Sequence, residues 1–134
     1  MSIYRMNPPQ FSAYREAANA SIMTVCNPAP NEARVFTTPN CMMTVINYGH
    51  DGVTLVGDGF GASFMEKHTL KEYRDFCEDP ATKGLEVFSR PQAVTIYRTS
   101  TGVLTVVDDG SDKLAVIGDV VGVYWGEEAP EYLV

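Results

Sequence analysis

The chain has 134 residues, of which 45% are apolar and 20% charged, and a formal net charge of −7. That length suits one domain, residues 1–134, burying roughly two-thirds of its unfolded surface without disulfides or a structural metal, and the composition excludes a disordered chain. The ten basic residues form no cluster, which argues against direct nucleic-acid binding.

The placement of the charge is more telling than its size. Residues 1–107 are nearly balanced, whereas residues 108–134 hold Lys113 alone against Asp108, Asp109, Asp112, Asp119, Glu127, Glu128 and Glu131. The three cysteines, Cys26, Cys41 and Cys77, are odd in number and include no Cys-x-x-Cys pair. They read as reduced, mostly buried thiols of a cytoplasmic protein. The N-terminus has no apolar signal core, and the most apolar run, Leu114 to Trp125, is broken by Asp119 and too short to span a bilayer. The expectation is a soluble protein that does not enter membranes.

In chain order, Asn7-Pro8-Pro9 starts a helix, with Asn7 as cap and Pro8 at the first helical position. Phe11, Tyr14, Ala17 and Ala18 share a face, so the helix runs from about Pro8 to Asn19. Ser21–Cys26 reads as a strand, the Pro28/Pro30 segment as a loop, and Arg34–Thr37 as a short strand. Cys41–Phe64 is the clearest fold signal. Two β-favouring runs, Met42–Asn47 and Val53–Val56, flank a turn rich in Gly and Asp.

Thr69-Leu70-Lys71-Glu72 is a capping box, followed by the apolar stripe Leu70, Tyr73, Phe76 and Cys77 and stopped by Asp79-Pro80. On that stripe Cys77 reads as a core residue. Strands are then expected at Leu85–Ser89, Ala93–Arg98, Val103–Asp108, Lys113–Ile117 and Val120–Trp125. Their spacing of about ten residues fits an antiparallel meander. The fold class is α+β, mainly antiparallel sheet with two short helices.

Chemical motifs are weak. Gly57-Asp58-Gly59-Phe60-Gly61 is glycine-rich, but no Lys follows and Asp58 would repel a phosphate, so a bending strand explains it better. Asp108–Asp112 has oxygen ligands but no closing Glu, and Asp, Gly and Ser are what a hairpin turn demands. His50 and His68 stand at no zinc-module spacing from any cysteine, and no nucleophile elbow occurs. No metal and no cofactor is expected.

Residues 126–134 read as an acidic C-terminal tail after the last strand. The leading expectation is a non-catalytic protein that docks an acidic, aromatic surface on a basic macromolecular partner. Asp108, Asp109, Asp112, Asp119, Glu127, Glu128 and Glu131 would supply the charge, and Trp125 and Tyr132 the anchors. An inhibitor covering the basic groove of a nucleic-acid-binding enzyme is one concrete form. Two other readings stay open: a small-molecule binder or small enzyme with a pocket near Gly57–Ser63, using His50 or Cys41, and a structural subunit whose sheet edges pair in an assembly.

Overall fold

A computed structural model describes residues 2–39, 41–49, 52–59, 62–120, 125 and 128–134. Its eleven strands and two helices follow in the order β1 (Ser2–Met6), α1 (Pro8–Ala17), β2 (Ser21–Val25), β3 (Glu32–Thr37), β4 (Cys41–Asn47), β5 (Val53–Gly59), β6 (Ala62–His68), α2 (Leu70–Glu78), β7 (Lys83–Ser89), β8 (Ala93–Arg98), β9 (Val103–Asp108), β10 (Leu114–Gly118) and β11 (Glu131–Tyr132). They form a six-stranded sheet, β11-β1-β10-β9-β8-β2, and a five-stranded sheet, β6-β5-β4-β3-β7. Every described pairing is antiparallel. The α+β class with antiparallel sheets is therefore the architecture of the molecule.

Alternation along each strand builds the layers. Ile3, Val35, Ile46, Val56, Val94, Val107 and Ile117 point inward from both sheets into one shared core. On the outer face of the six-stranded sheet, Met6, Leu104, Val106 and Val116 pack against Phe11, Tyr14 and Ala18 of the α1 segment. On the outer face of the five-stranded sheet, Phe36, Val45 and Val53 meet Leu70, Tyr73 and Phe76 of α2. The order is thus helix, sheet, sheet, helix. A central strand buried on both faces follows from it: Val103 to Val107 are all buried, with Thr105 the one polar residue among them. Each fully buried aliphatic side chain contributes about 1.5–3 kcal/mol, so the inter-sheet core carries most of the stability.

Both helix starts are as expected. Asn7 and Gln10, and Thr69 and Glu72, each form a reciprocal capping box. The first helix ends at Ala17, and Asn19 leaves it with φ of 52°. Three expectations are corrected. Leu85–Ser89 lies within β7, which pairs with β3 in the other sheet and so does not join the meander, which consists of β8, β9 and β10. Cys77 is exposed, because α2 rests on its sheet through Leu70, Tyr73 and Phe76 and turns Cys77 to solvent. Cys41 is half-buried, so only Cys26 is a buried thiol. Strands β1, β6 and β11 were not expected. Of the expected strand Val120–Trp125, residues 121–124 lie outside the described residues, as do His50 and Glu127.

Candidate functional site

The register of β1 decides which carboxylates meet. Ser2 to Met6 pairs with Gly118 to Leu114, so the end of β1 lies beside the β9–β10 turn. On its other edge Arg5 pairs with Glu131, and Tyr4 with Tyr132. The chain leaves β1 into the capped start of α1, where Gln10 Nε2 donates to the Glu128 carbonyl at 2.8 Å. Asp108, Asp109, Asp112, Glu128 and Glu131 thereby collect at one end of the sandwich. Asp119 follows Gly118 at the opposite end of β10, about 13 Å away by the length of a five-residue strand. There its carbonyl accepts a long hydrogen bond from the Tyr14 hydroxyl.

Local chemistry builds the turn. Asp108 Oδ1 accepts from the Gly110 amide at 2.9 Å, and Asp109 Oδ1 from the Ser111 amide at 3.1 Å. Gly110 has φ of +89°, which favours glycine there. Arg5 Nη2 donates to Asp109 Oδ2 at 2.8 Å and to Ser111 Oγ at 2.7 Å. Burial works against the charge on Asp109, but the hydrogen bonds from Arg5 and Ser111 outweigh it and hold the carboxyl at about 2. Asp112, Glu128 and Glu131 are exposed, and none has an ion-pair partner among the described residues.

The aromatics divide. Tyr132 is 62% exposed, its ring centroid 5.1 Å from that of Tyr4. Trp125 packs half-buried on the α1 side of the molecule. Beyond Tyr132, the Leu133 amide donates to the Ile3 carbonyl at 2.8 Å and the Ile3 amide to the Val134 carbonyl at 2.7 Å, so the last residues are stitched to β1.

Cys41 Sγ lies 3.5 Å from Thr38 Oγ1. His68 stands between two carboxylates, Nδ1 at 3.1 Å from Glu72 and Nε2 at 3.3 Å from Glu66, both on exposed side chains. Among the described residues no group of three His, Cys, Asp or Glu could hold a metal ion. Gly57 lies in β5, where an added Cβ would come within 2.8 Å of the Met42 carbonyl oxygen, so close strand packing accounts for that glycine. A cleft of about 430 Å³ lies at the other end of β5, lined by Tyr48, Val53, Thr54, Met65, Lys67 and residues of β2. No described helix is long and apolar enough to cross a membrane.

Sequence reasoning missed Arg5, Gln10 and Lys67. For Arg5 the signal was present: Ile3-x-Arg5 and Tyr4-x-Met6 alternate as a strand whose faces differ. For Gln10 the local spacing from Asn7 announces the capping box but not the contact with the distant Glu128 carbonyl, and the face that Lys67 takes is set by strand pairing.

No protein-family model matches this chain, and no curated protein or solved structure matches it significantly.

Proposed function

We propose that the protein is a non-catalytic binding protein whose acidic end docks on a basic surface of a macromolecular partner. One observation carries this reading. Five carboxylates separated by up to 23 positions converge at the end of β1 around the exposed Tyr132, and among the described residues only Asp109 of the five is neutralised by an internal ion pair. Of the nearby cations, Arg5 is committed to Asp109, and Lys113 lies in the same turn. Exposed carboxylates suit steering and register, and Tyr132 supplies a rigid amphipathic contact. Trp125 serves the α1 layer in this reading, and the anchor role passes to Tyr132. Asp119, at the opposite end, is not part of the face.

A partner of this chemistry presents Lys and Arg on a concave or flat surface. The basic groove of a nucleic-acid-binding enzyme is such a surface, and the protein would then act as an inhibitor without touching nucleic acid itself. The reading places the protein in the cytoplasm, where an exposed thiol such as Cys77 stays reduced.

The test is capture from the native host on immobilised protein. A basic protein should be retained at low salt, released at about 0.3 M salt as screening shortens, and lost from a variant carrying Asp112→Lys, Glu128→Lys and Glu131→Gln. Glu131 is neutralised and not reversed, because a lysine opposite Arg5 would place like charges across a strand pair. Retention by the variant equal to that of the wild type would refute the proposal.

A further inference from the structure

Where the edges of the two sheets face each other, three inner-face positions are polar although their strand neighbours on that face are apolar. Thr54 of β5 pairs with Ile46, a core residue, and with Lys67 of β6, so all three side chains take the side between the sheets. Thr24 of β2 pairs with Ile96 and points inward from the other sheet. Thr24, Thr54 and Lys67 line the cleft at the Val53 end of β5, together with Asn27, Tyr48 and Met65.

Thr54 is 8% exposed, and its hydroxyl has no hydrogen-bond partner among the described residues. Among those residues no fully enclosed side-chain nitrogen or oxygen lacks a partner, so this hydroxyl keeps its access to water through the cleft that it lines. Lys67 stands directly across from it on the neighbouring strand, where paired Cβ atoms lie about 4.5–5.5 Å apart. The Lys67 ammonium makes no ion pair among the described residues, and the Thr24 hydroxyl has no partner among them. The Tyr48 hydroxyl is engaged with the Cys26 thiol.

Among the described residues no Asp or Glu lines the cleft, although acidic residues outnumber basic ones 17 to 10 in the chain. One ammonium, two uncommitted hydroxyls and the Asn27 amide thus offer donors with no carboxylate beside them to receive them. Ile96 is 1% exposed, so Met65 alone of the inward-facing aliphatic side chains in the lining is open, and a polar ligand suits the cleft better than a hydrocarbon chain. The volume of about 430 Å³ is in the range of small-molecule sites.

We propose that this cleft binds a small hydroxylated oxyanion, its carboxylate or phosphate head held by Lys67 and Thr54 and its hydroxyls by Thr24 and Asn27. Hydroxyl and amide side chains both donate and accept, as a hydroxylated body requires, and the one cation selects the charged head. The site is separate from the acidic end and stands without it.

Gluconate and glucose 6-phosphate probe the two heads, with glucose as the neutral counterpart. Titration into the full-length ¹⁵N-labelled protein should shift the amides of Thr24, Asn27, Thr54 and Lys67 saturably with at least one of the two anions, and that anion should bind more tightly than glucose. The tighter anion identifies the head. Thr54→Val keeps the side-chain shape and should weaken it about fivefold, as befits one lost hydrogen bond. Lys67→Gln should also weaken it about fivefold, as befits one exposed charge contact, and leave glucose unchanged. Lys71→Gln makes the same charge change on α2, on the outer side of the sheet, and should cost less than about twofold. Saturation by neither anion, glucose binding as tightly as both, or full affinity in Thr54→Val or Lys67→Gln would overturn the proposal. Lys67 would then serve only as an inward-pointing charge that keeps the β6 edge from pairing.

Discussion

Arg5 and Asp109 stand 104 positions apart in the chain and 2.8 Å apart in space. The contact fastens the β9–β10 turn to the strand that also holds the C-terminus, so one guanidinium sets the geometry of the acidic end. It neutralises one carboxylate and fixes the backbone that displays the others.

Arg5→Gln should release this clamp. Asp109 should titrate nearer its ordinary value of 3.8 and no longer at about 2, which a carboxyl-detected NMR titration reads directly. The depressed folded-state value means the contribution to stability is present above the ordinary value and is lost as the pH falls toward 2. Because the pair is partly open to solvent, the expected loss at neutral pH is about 1 kcal/mol or less. An unchanged Asp109 titration in Arg5→Gln would show that the turn amides alone hold the carboxylate.

The second helix should be the first element to loosen in acid. Its capping residue Glu72 is held down to about 2, first by the Thr69 backbone amide and then by the His68 side chain. The same sign applies: the contribution is present above the ordinary value of 4.5 and fades as the pH falls toward 2. Hydrogen exchange of the α2 amides should accelerate across that window before the amides of β9 do. Thr69→Ala should produce the same local loosening at neutral pH and cost about 1 kcal/mol. Exchange rising uniformly through the molecule would contradict this order.

The same helix tests the packing. No α2 side chain is fully buried, and the Phe36 ring meets Phe76 at 5.4 Å and Tyr73 at 6.3 Å, both edge-on. Phe76→Ala should cost about 2 kcal/mol, below the usual range for a fully buried Phe, and expose the outer face of the five-stranded sheet. Urea denaturation gives the cost, and dye binding to the native variant gives the exposure. A loss below about 0.5 kcal/mol would place the helix's stability elsewhere.

The thiols should differ sharply. Cys77 is exposed and should react with an aromatic disulfide reagent in the native protein. Cys26, 6% exposed and with its thiol pushed up by burial, should react only on unfolding. Denaturation without reductant should titrate all three. Rapid native reaction of Cys26 would mean that the edge near β2 opens.

Sequence patterns reached local structure and stopped at pairing. Asn7-Pro8 and Thr69–Glu72 are local chemistry, and both caps form as their residues dictate. Val103–Val107 is apolar at every position but Thr105, which signals a strand but not its neighbours. The pairing of β7 with β3, across three intervening strands and a helix, has no local signature. Cys77 was misread because a stripe at helical spacing fixes a face only to within one residue, and three larger side chains took the contact. The acidic end was legible as a charge imbalance in residues 108–134, but its geometry was not. β1 and β11 hold it together, and strands as short as β11 leave little pattern to read. Nothing local indicated that Asp119 would sit at the other end, or that Lys67 would face a cleft.

The most direct measurement for the acidic end uses a defined basic probe. Deca-lysine titrated into the ¹⁵N-labelled protein at low salt should shift the amides of Asp108 to Asp112, Glu128, Glu131 and Tyr132. The variant with Asp112→Lys, Glu128→Lys and Glu131→Gln should bind it about tenfold more weakly. A control with the same charge change at the exposed residues Glu16, Asp75 and Glu78 should lose about twofold or less, since only general attraction is removed there. Equal losses in the two variants, or shifts spread over both ends of the sandwich, would contradict a docking face at this end.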